Sequence, residues 1–170
     1  MEFGLEAEVD WAMSPQSDRL AIAPKNGVLK VCSTETGKEL LAIDQPNPLS
    51  WPVAFSADGT EVLAVCDEDN SALVYGSQTG DLRRTYSLSE PIYTASFSPK
   101  GDYVAFGGVS GDIEVYDAKS TTFLVKFEGP RSEEGGESET HWLADGERFI
   151  TFYTHGPVLM RSVRDALRLR

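Results

Sequence analysis

The chain alternates short apolar runs with polar turn residues, and the same order of runs and turns recurs four times. The first apolar run of each unit ends at an anchor position, which is occupied by Ser14, Ser56, Ser98 and Leu143. These anchors are spaced 42, 42 and 45 residues apart. Self-similarity at a nearly fixed period is the signature of a repeat protein, in which each unit is one supersecondary element.

Each unit contains further apolar runs that are separated by turn signals. A second run follows the anchor turn at 19–23, 61–65 and 103–107, and it leads into hairpin signals such as Asn26-Gly27 and Ser110-Gly111. The runs are short and rich in Val, Ile, Phe and Tyr, and none keeps a 3.6-residue period over a helical length. They therefore predict strands, and a helix over any of the three second runs would contradict the assignment.

Four short strands per unit, repeated along the chain, are typical of the blades of a β-propeller. The motifs are Phe-Ser-Ala-Asp-Gly at 55–59, Phe-Ser-Pro-Lys-Gly at 97–101 and Asp-Ile-Glu-Val-Tyr-Asp at 112–117. With these motifs the chain resembles the WD-repeat β-propeller family over essentially its whole length. The resemblance implies an all-β fold of four antiparallel, four-stranded blades in one propeller segment over 1–170. The expected blades cover approximately 9–45, 51–87, 92–129 and 139–170.

The repeats are degenerate in the polar signature of that family. The Trp-Asp dipeptide that closes the third strand is replaced by Cys32-Ser33, Tyr75-Gly76, Tyr116-Asp117 and Arg161-Ser162. The Gly-His dipeptide ahead of the first strand is also missing. We therefore expect blades without the His–Asp–Ser hydrogen-bond network of the family, held instead by apolar packing and backbone ladders.

The number of blades predicts an incomplete ring. The family usually has about seven blades, whereas this chain supplies four. The equivalent of the run at 123–127 falls at 168–172 in the fourth unit, so the chain is expected to end inside a strand. Residues 1–8 would complete that blade, or the chain is part of a longer propeller or pairs with another chain. Open blade faces and edges favour association, so we expect a homo-oligomer or completion by another chain.

The charge of the chain excludes several classes of partner. The chain holds 27 acidic and 15 basic side chains, for a net charge of −12, which disfavours nucleic acid and anionic membranes as partners. The last ten residues hold four arginines, which we interpret as a solvated chain end, with contact to an acidic surface as the alternative. Cys32 and Cys66 are expected to be free thiols. With neither a signal-like N-terminus nor a long apolar stretch, the expected location is cytoplasmic or nuclear.

The residues available for catalysis are few. His141 and His155 have no Cys partner, so they predict no metal site. The segment 67–71 resembles the start of a calcium loop, but Ala72 and Gln78 stand where such a loop needs Gly and Glu. We therefore predict no catalytic residue, no cofactor and no metal, and the protein is not expected to be an enzyme. Two alternatives stay open: a hydrolase-like propeller enzyme, and a diverged structural fragment that another chain completes.

The candidate contact residues lie where the first strand of each blade begins. Val9, Trp51, Tyr93 and Ser138 occupy equivalent positions, five residues before the anchors. In the resembled family this rim contacts partners, and aromatic side chains are frequent hot spots of protein interfaces. The predicted partner-binding residues are Trp51 and Tyr93, although Trp51 could instead only pack the loop between blades.

The segment GPRSEEGGESE at 129–139 lengthens one loop between blades. We interpret it as a mobile solvated loop, and the alternative is an acidic docking patch for a basic partner. Together, the repeats, the lack of catalytic residues and the rim aromatics Trp51 and Tyr93 predict the function. The protein is expected to be a non-catalytic scaffold for protein–protein interaction, in a larger assembly.

Overall fold

The computed structural model describes residues 9–24, 27–44, 50–66, 69–130, 138–154 and 156–169. Sheet 1 contains β1 (Val9–Met13), β2 (Arg19–Pro24), β3 (Leu29–Ser33) and β4 (Glu39–Ile43). Sheet 2 contains β5 (Ser50–Phe55), β6 (Glu61–Cys66), β7 (Ser71–Gly76) and β8 (Leu82–Ser87). Sheet 3 contains β9 (Ile92–Phe97), β10 (Tyr103–Gly108), β11 (Ile113–Asp117) and β12 (Phe123–Phe127). Sheet 4 contains β13 (Ser138–Trp142), β14 (Arg148–Tyr153) and β15 (Val158–Ser162), and helix α1 (Val163–Arg168) follows it.

The four sheets confirm the all-β class and the repeat of antiparallel strands. Within each sheet, consecutive strands are neighbours and pair antiparallel. The second apolar runs are strands β2, β6 and β10, as predicted. The contacts divide the chain into two compact units, Met1–Ser89 and Glu90–Arg170. Unit 1 contains sheets 1 and 2, and unit 2 contains sheets 3 and 4 with α1.

The anchor serines fix the turn between the first two strands of three sheets. The hydroxyls of Ser14, Ser56 and Ser98 are buried, and each accepts a hydrogen bond at 3.0 Å from the backbone N–H five residues later. Because that N–H lies at the start of the second strand, the bond links the two strands beside their turn. The fourth anchor, Leu143, has no hydroxyl, and Asp145 replaces it. Its Oδ1 accepts from the N–H groups of Glu147 and Arg148, each at 3.0 Å. The backbone bond from Glu147 and the side-chain bond from Arg148 are the main reasons that the pKa of Asp145 is lowered to about 2.

The core of unit 1 lies between sheets 1 and 2. We call the face of a sheet that is directed toward the next sheet in the chain its leading face, and sheet 1 contributes this face to the core. Sheet 2 contributes its trailing face, which packs on the preceding sheet. The leading face of sheet 1 buries Ala21, Ala23, Leu29, Val31 and Ile43. The trailing face of sheet 2 buries Val53, Phe55, Val62, Ala64, Cys66, Leu73 and Tyr75. This contact is apolar, as predicted.

The core of unit 2 repeats this arrangement with a more polar surface. The leading face of sheet 3 buries Ala105, Ile113 and Val115 against Phe149 on the trailing face of sheet 4. The Trp142 ring stacks on Tyr103 with centroids 6.1 Å apart. Beside these apolar contacts, five buried hydroxyls have no hydrogen-bond partner among the described residues, those of Ser96, Ser138, Thr140, Thr151 and Tyr153. Apolar packing therefore does not account for this contact alone.

The end of the fourth unit differs from the prediction of a strand over 168–170. Residues 163–168 form α1, so sheet 4 has three strands within the described part of the chain. The Ser162 hydroxyl caps the helix by accepting from the N–H of Asp165 at 3.2 Å. Val163 is fully buried, and the Arg164 guanidinium lies 3.1 Å from the Glu147 carboxylate. The basic segment that we interpreted as a solvated chain end is therefore packed at its start.

Cys32 and Cys66 are both buried and are not joined in a disulfide, and burial raises the pKa of Cys32. Within the described ranges, no helix has the length and apolar character needed to cross a membrane.

Candidate protein-interaction surfaces

The two aromatic residues predicted to bind partners both lie where a first strand bulges. In sheet 3, the register between β9 and β10 shifts between Gly107 and Gly108, so Tyr93 has no opposite residue on β10. In sheet 2, the same kind of shift occurs between Ser50 and Val53, and Trp51 lies in the extra segment. Bulges re-aim side chains and are frequent beside functional sites. The shared irregularity therefore marks this edge of both sheets.

The four equivalent rim positions do not share one environment. Tyr93 is 45% exposed, and Ser138 is buried. The side chains of Val9 and Trp51 lie outside the described part of the structure, although their backbones belong to β1 and β5. The structure therefore places one predicted contact residue, Tyr93, on an accessible surface.

The backbone beside Tyr93 is held by the Glu90 carboxylate. Glu90 accepts hydrogen bonds from the N–H of Ser110 at 2.8 Å and from its hydroxyl at 2.6 Å. A Cβ at Gly108 would overlap the Glu90 side chain, so a larger residue there would displace the Glu90 carboxylate from this position. The Val109 N–H also donates to the Pro91 carbonyl at 3.0 Å. These bonds tie the segment before β9 to the turn between β10 and β11, so Tyr93 projects from a fixed edge.

Three carboxylates surround one lysine at the same edge of sheet 3. Lys126 Nζ lies 3.0 Å from Asp112 and 3.9 Å from both Glu90 and Glu114. The hydrogen bond to Asp112 is the main reason that the pKa of Lys126 is raised. Asp112 also accepts from the N–H of Gly129 at 2.9 Å, where the 129–139 segment begins.

The Glu114 carboxylate is engaged on its other side as well. It accepts from the Tyr116 hydroxyl at 2.9 Å, and burial together with this bond raises the pKa of Tyr116. With Asp112 and Glu114 both buried, the cluster is a structural support for the rim rather than an open binding site.

A second accessible surface is the leading face of sheet 4. The ladder pairs Met13 with Leu20 in sheet 1 and Trp142 with Phe149 in sheet 4, so these pairs occupy equivalent positions. On this register, the positions of the leading face of sheet 1, which are buried or half-buried, have exposed or half-exposed counterparts in sheet 4. These counterparts are Glu139, His141, Ile150, Phe152, Val158 and Met160.

A third surface is the trailing face of sheet 1. It carries Trp11 and Met13 on β1, and behind them in the ladder Leu20 is half-exposed, whereas Ile22 and Cys32 are already buried. Trp11 is 60% exposed and Met13 is also exposed. Open sheet faces were expected from the sequence, but none of the residues on this face was predicted to contact a partner. For sheet 4, the run Phe149-Ile150-Thr151-Phe152 was a sequence signal of its exposed apolar face, because it places apolar side chains on both faces of β14.

The remaining chemical candidates form no converging set among the described residues. His141 is on an exposed face, 3.4 Å from the Glu139 carboxylate and edge-on to the Phe152 ring. His155 lies outside the described residues, as do Asp67 and Glu68 of the segment compared with a calcium loop and most of the 129–139 loop. Within the ranges the structure describes, no three His, Cys, Asp or Glu side chains group to hold a metal ion.

Comparison with known proteins gives relatives in sequence and in structure. No family model matches the chain. It is 29% identical over 91 residues to eukaryotic translation initiation factor 3 subunit I of Culex quinquefasciatus, covering 54% of this chain and 27% of the relative. It is 25% identical over 150 residues to the same subunit of Scheffersomyces stipitis, covering 84% of this chain and 43% of the relative. The chain thus spans less than half the length of these curated relatives.

The structural comparison agrees with the sequence comparison. The chain is similar to the β-propeller domain of Cps50 (Swd1) from Myceliophteria thermophila, with a TM-score of 0.75 and 15% identity. The match covers 94% of this chain and 53% of the solved chain. The initiation factor subunit is itself a WD40 protein. The similarity predicted from the repeats is thereby confirmed: in sequence and in structure, the chain resembles WD-repeat β-propeller proteins.

Proposed function

We propose that the chain is a non-catalytic scaffold of WD-repeat type, which binds a protein partner at the rim of sheet 3 through Tyr93, with Trp51 at the equivalent place in sheet 2. The observation that carries the proposal is the bulge beneath both aromatics, together with the exposure of Tyr93. An accessible aromatic on a fixed backbone loses little conformational freedom on binding, which favours a contact of this kind.

The comparisons support the general class of this function. The two curated relatives named above are subunits of a translation initiation factor, and subunits act inside assemblies. We therefore propose that the chain acts within a multi-protein assembly, as a homo-oligomer or completed by another chain. We place it in the cytoplasm, as those relatives suggest, with a nuclear location as the alternative. The four sheets are proposed to be blades of one propeller segment over 1–170, and neither nucleic acid nor membrane is proposed as a partner.

The test uses a photo-reactive phenylalanine analogue in the full chain. The analogue replaces Tyr93 in one variant and Phe123 in a matched control, because Phe123 is 43% exposed and lies at the opposite end of sheet 3. In an extract of the source cells, position 93 should give discrete protein adducts that position 123 does not. Excess unlabelled chain should compete for these adducts, and excess Tyr93→Ala chain should not. Equal adducts at the two positions, or competition by Tyr93→Ala, would remove the rim from the function.

A further inference from the structure

The leading face of sheet 4 is the counterpart of faces that are covered elsewhere in this chain. In sheet 1, the same register positions pack on sheet 2, and in sheet 3 they pack on sheet 4. In sheet 4, Met160 takes the position of the fully buried Val31, and it is 62% exposed. The leading face of the first sheet in each unit is thus covered by the trailing face of the second sheet, whereas the leading face of sheet 4 is exposed.

The chain also carries a trailing face of the complementary kind. Trp11 and Met13 in sheet 1 take the register positions of Val53 and Phe55 in sheet 2. Val53 and Phe55 are buried against sheet 1, whereas Trp11 and Met13 are exposed. The contact between a leading and a trailing face occurs twice within the chain. The chain also has one exposed face of each kind, on sheet 4 and on sheet 1, and the exposed apolar side chains on both are large.

We propose that the leading face of sheet 4 in one copy of this chain binds the trailing face of sheet 1 in a second copy. This inference rests on the proposed function as a scaffold and names the partner of two of its surfaces. Because the two faces differ, the contact is heterologous, and it either closes between copies or extends along an array.

One polar contact of the internal interface has a counterpart in the proposed one. In unit 1, the Asp10 carboxylate accepts a hydrogen bond at 2.7 Å from the N–H of Val53 in the neighbouring sheet. Glu139 takes the position of Asp10 in sheet 4, and its side chain is 80% exposed. The counterpart of Val53 is Trp11, so Glu139 faces the first strand of sheet 1 in the second copy.

The side chains of the proposed contact are larger than those of the internal one. His141, Ile150 and Phe152 replace Ala12, Ala21 and Ala23 at the strands nearest the contact. Packed sheets lie roughly 10 Å apart, and larger side chains increase that spacing. The second copy therefore lies farther from sheet 4 than sheet 2 lies from sheet 1, and more apolar surface is buried per residue.

The experiment measures the mass of the purified chain by light scattering over a range of concentrations. The unaltered chain should exceed the monomer mass of 18.6 kDa as concentration rises. Trp11→Lys and Met160→Lys should each weaken association by roughly thirtyfold or more, because each places a charge in a desolvated apolar contact. Leu82→Lys is the control, since Leu82 is 55% exposed but lies on β8, outside both faces.

A mixture of the two weakened variants tests the pairing of unlike faces. Trp11→Lys keeps the leading face of sheet 4, and Met160→Lys keeps the trailing face of sheet 1, so the mixture should form a heterodimer through one intact contact. Circular dichroism should show both variants folded, since both side chains are more than half exposed. A monomer at all concentrations, or a mixture that stays monomeric while the unaltered chain associates, would overturn the proposal. Tyr93→Ala should leave the mass unchanged, so failure of the rim function is seen separately.

Discussion

At the scale of single residues, the hydroxyl groups of the anchor serines stabilise the turn between the first two strands. Ser98 is fully buried, and its hydroxyl is the acceptor for the N–H of Tyr103. Replacing Ser98 with Ala leaves that N–H without its acceptor, and an unpaired buried donor costs about 1–3 kcal/mol. We therefore expect Ser98→Ala to lower the free energy of unfolding by that amount in urea denaturation.

The control for this prediction is Ser17→Ala. Ser17 is an exposed turn residue that is engaged through its backbone: its N–H donates to the Ser14 carbonyl at 2.8 Å, and its carbonyl accepts from the Thr34 hydroxyl. Surface changes of this kind alter stability by less than about 0.5 kcal/mol. If Ser98→Ala and Ser17→Ala shift the urea midpoint equally, the anchor hydroxyl has no special role in the turn.

The sequence predicted where the anchors lie but not what they bind. The repeat spacing located Ser14, Ser56 and Ser98, because apolar runs and turn residues stay in phase around them. The spacing also aligned Leu143, which cannot accept a hydrogen bond. That Asp145 takes over the task depends on the geometry of the turn, since a carboxylate two residues later reaches the same N–H groups only once the turn has formed.

At the scale of elements, a residue with positive φ after the third strand leads into a turn and a fourth strand rather than a helix. Gly37 and Gly80 adopt positive φ of 70° and 72° in the turns that lead to β4 and β8, and Thr121 adopts 59° before β12. The equivalent position in the fourth unit is Ala166, within the helix-favouring sequence Arg-Asp-Ala-Leu-Arg. With Ser162 as N-cap, the segment forms α1 instead of a turn. The helix-favouring residues after Ser162 were visible in the sequence, but the repeat period predicted a strand there instead.

The contact between sheets 3 and 4 contains hydroxyls that lower its stability. Thr151 is fully buried, and its Oγ1 has no partner among the described residues. Valine has nearly the same shape and removes the unpaired hydroxyl, so Thr151→Val should raise the free energy of unfolding by about 1 kcal/mol. Thermal and urea denaturation measure the change.

The matched control for that prediction has the opposite sign. The Thr60 hydroxyl donates to the Asp58 carboxylate at 2.8 Å, so Thr60→Val removes a bond that is made. We expect Thr60→Val to be neutral or destabilising. A loss of stability in Thr151→Val equal to or greater than that in Thr60→Val would mean that the buried hydroxyl has a partner, such as an ordered water.

At the scale of the whole molecule, the sequence predicted the class and the number of sheets but not which surfaces stay open. Strand order follows from local turns, and the four anchors count the sheets directly. The exposure of Trp11 or Met160 follows instead from what lies beside the sheet. Apolar side chains at the same register position are buried in β3 and exposed in β15, so their burial depends on a neighbouring sheet that the local sequence does not encode.

Burial along the chain predicts an uneven resistance to local opening. Every residue of β7 is buried, and β7 pairs with both β6 and β8. In β15 no residue is buried, and within the described residues it pairs with β14 alone. Since local opening spans free energies from near zero to the global value, the amides of β7 should exchange at least about a hundredfold more slowly than those of β15.

Hydrogen exchange of the dilute chain, followed by mass spectrometry, measures this difference, and equal protection of β7 and β15 would contradict it. The same measurement at high concentration connects local opening to assembly. A second copy on the leading face of sheet 4 makes opening of β14 and β15 unfavourable, because opening then also requires dissociation. Protection in β14 and β15 should therefore increase with concentration, while β8, which lies outside both proposed faces, should exchange at an unchanged rate.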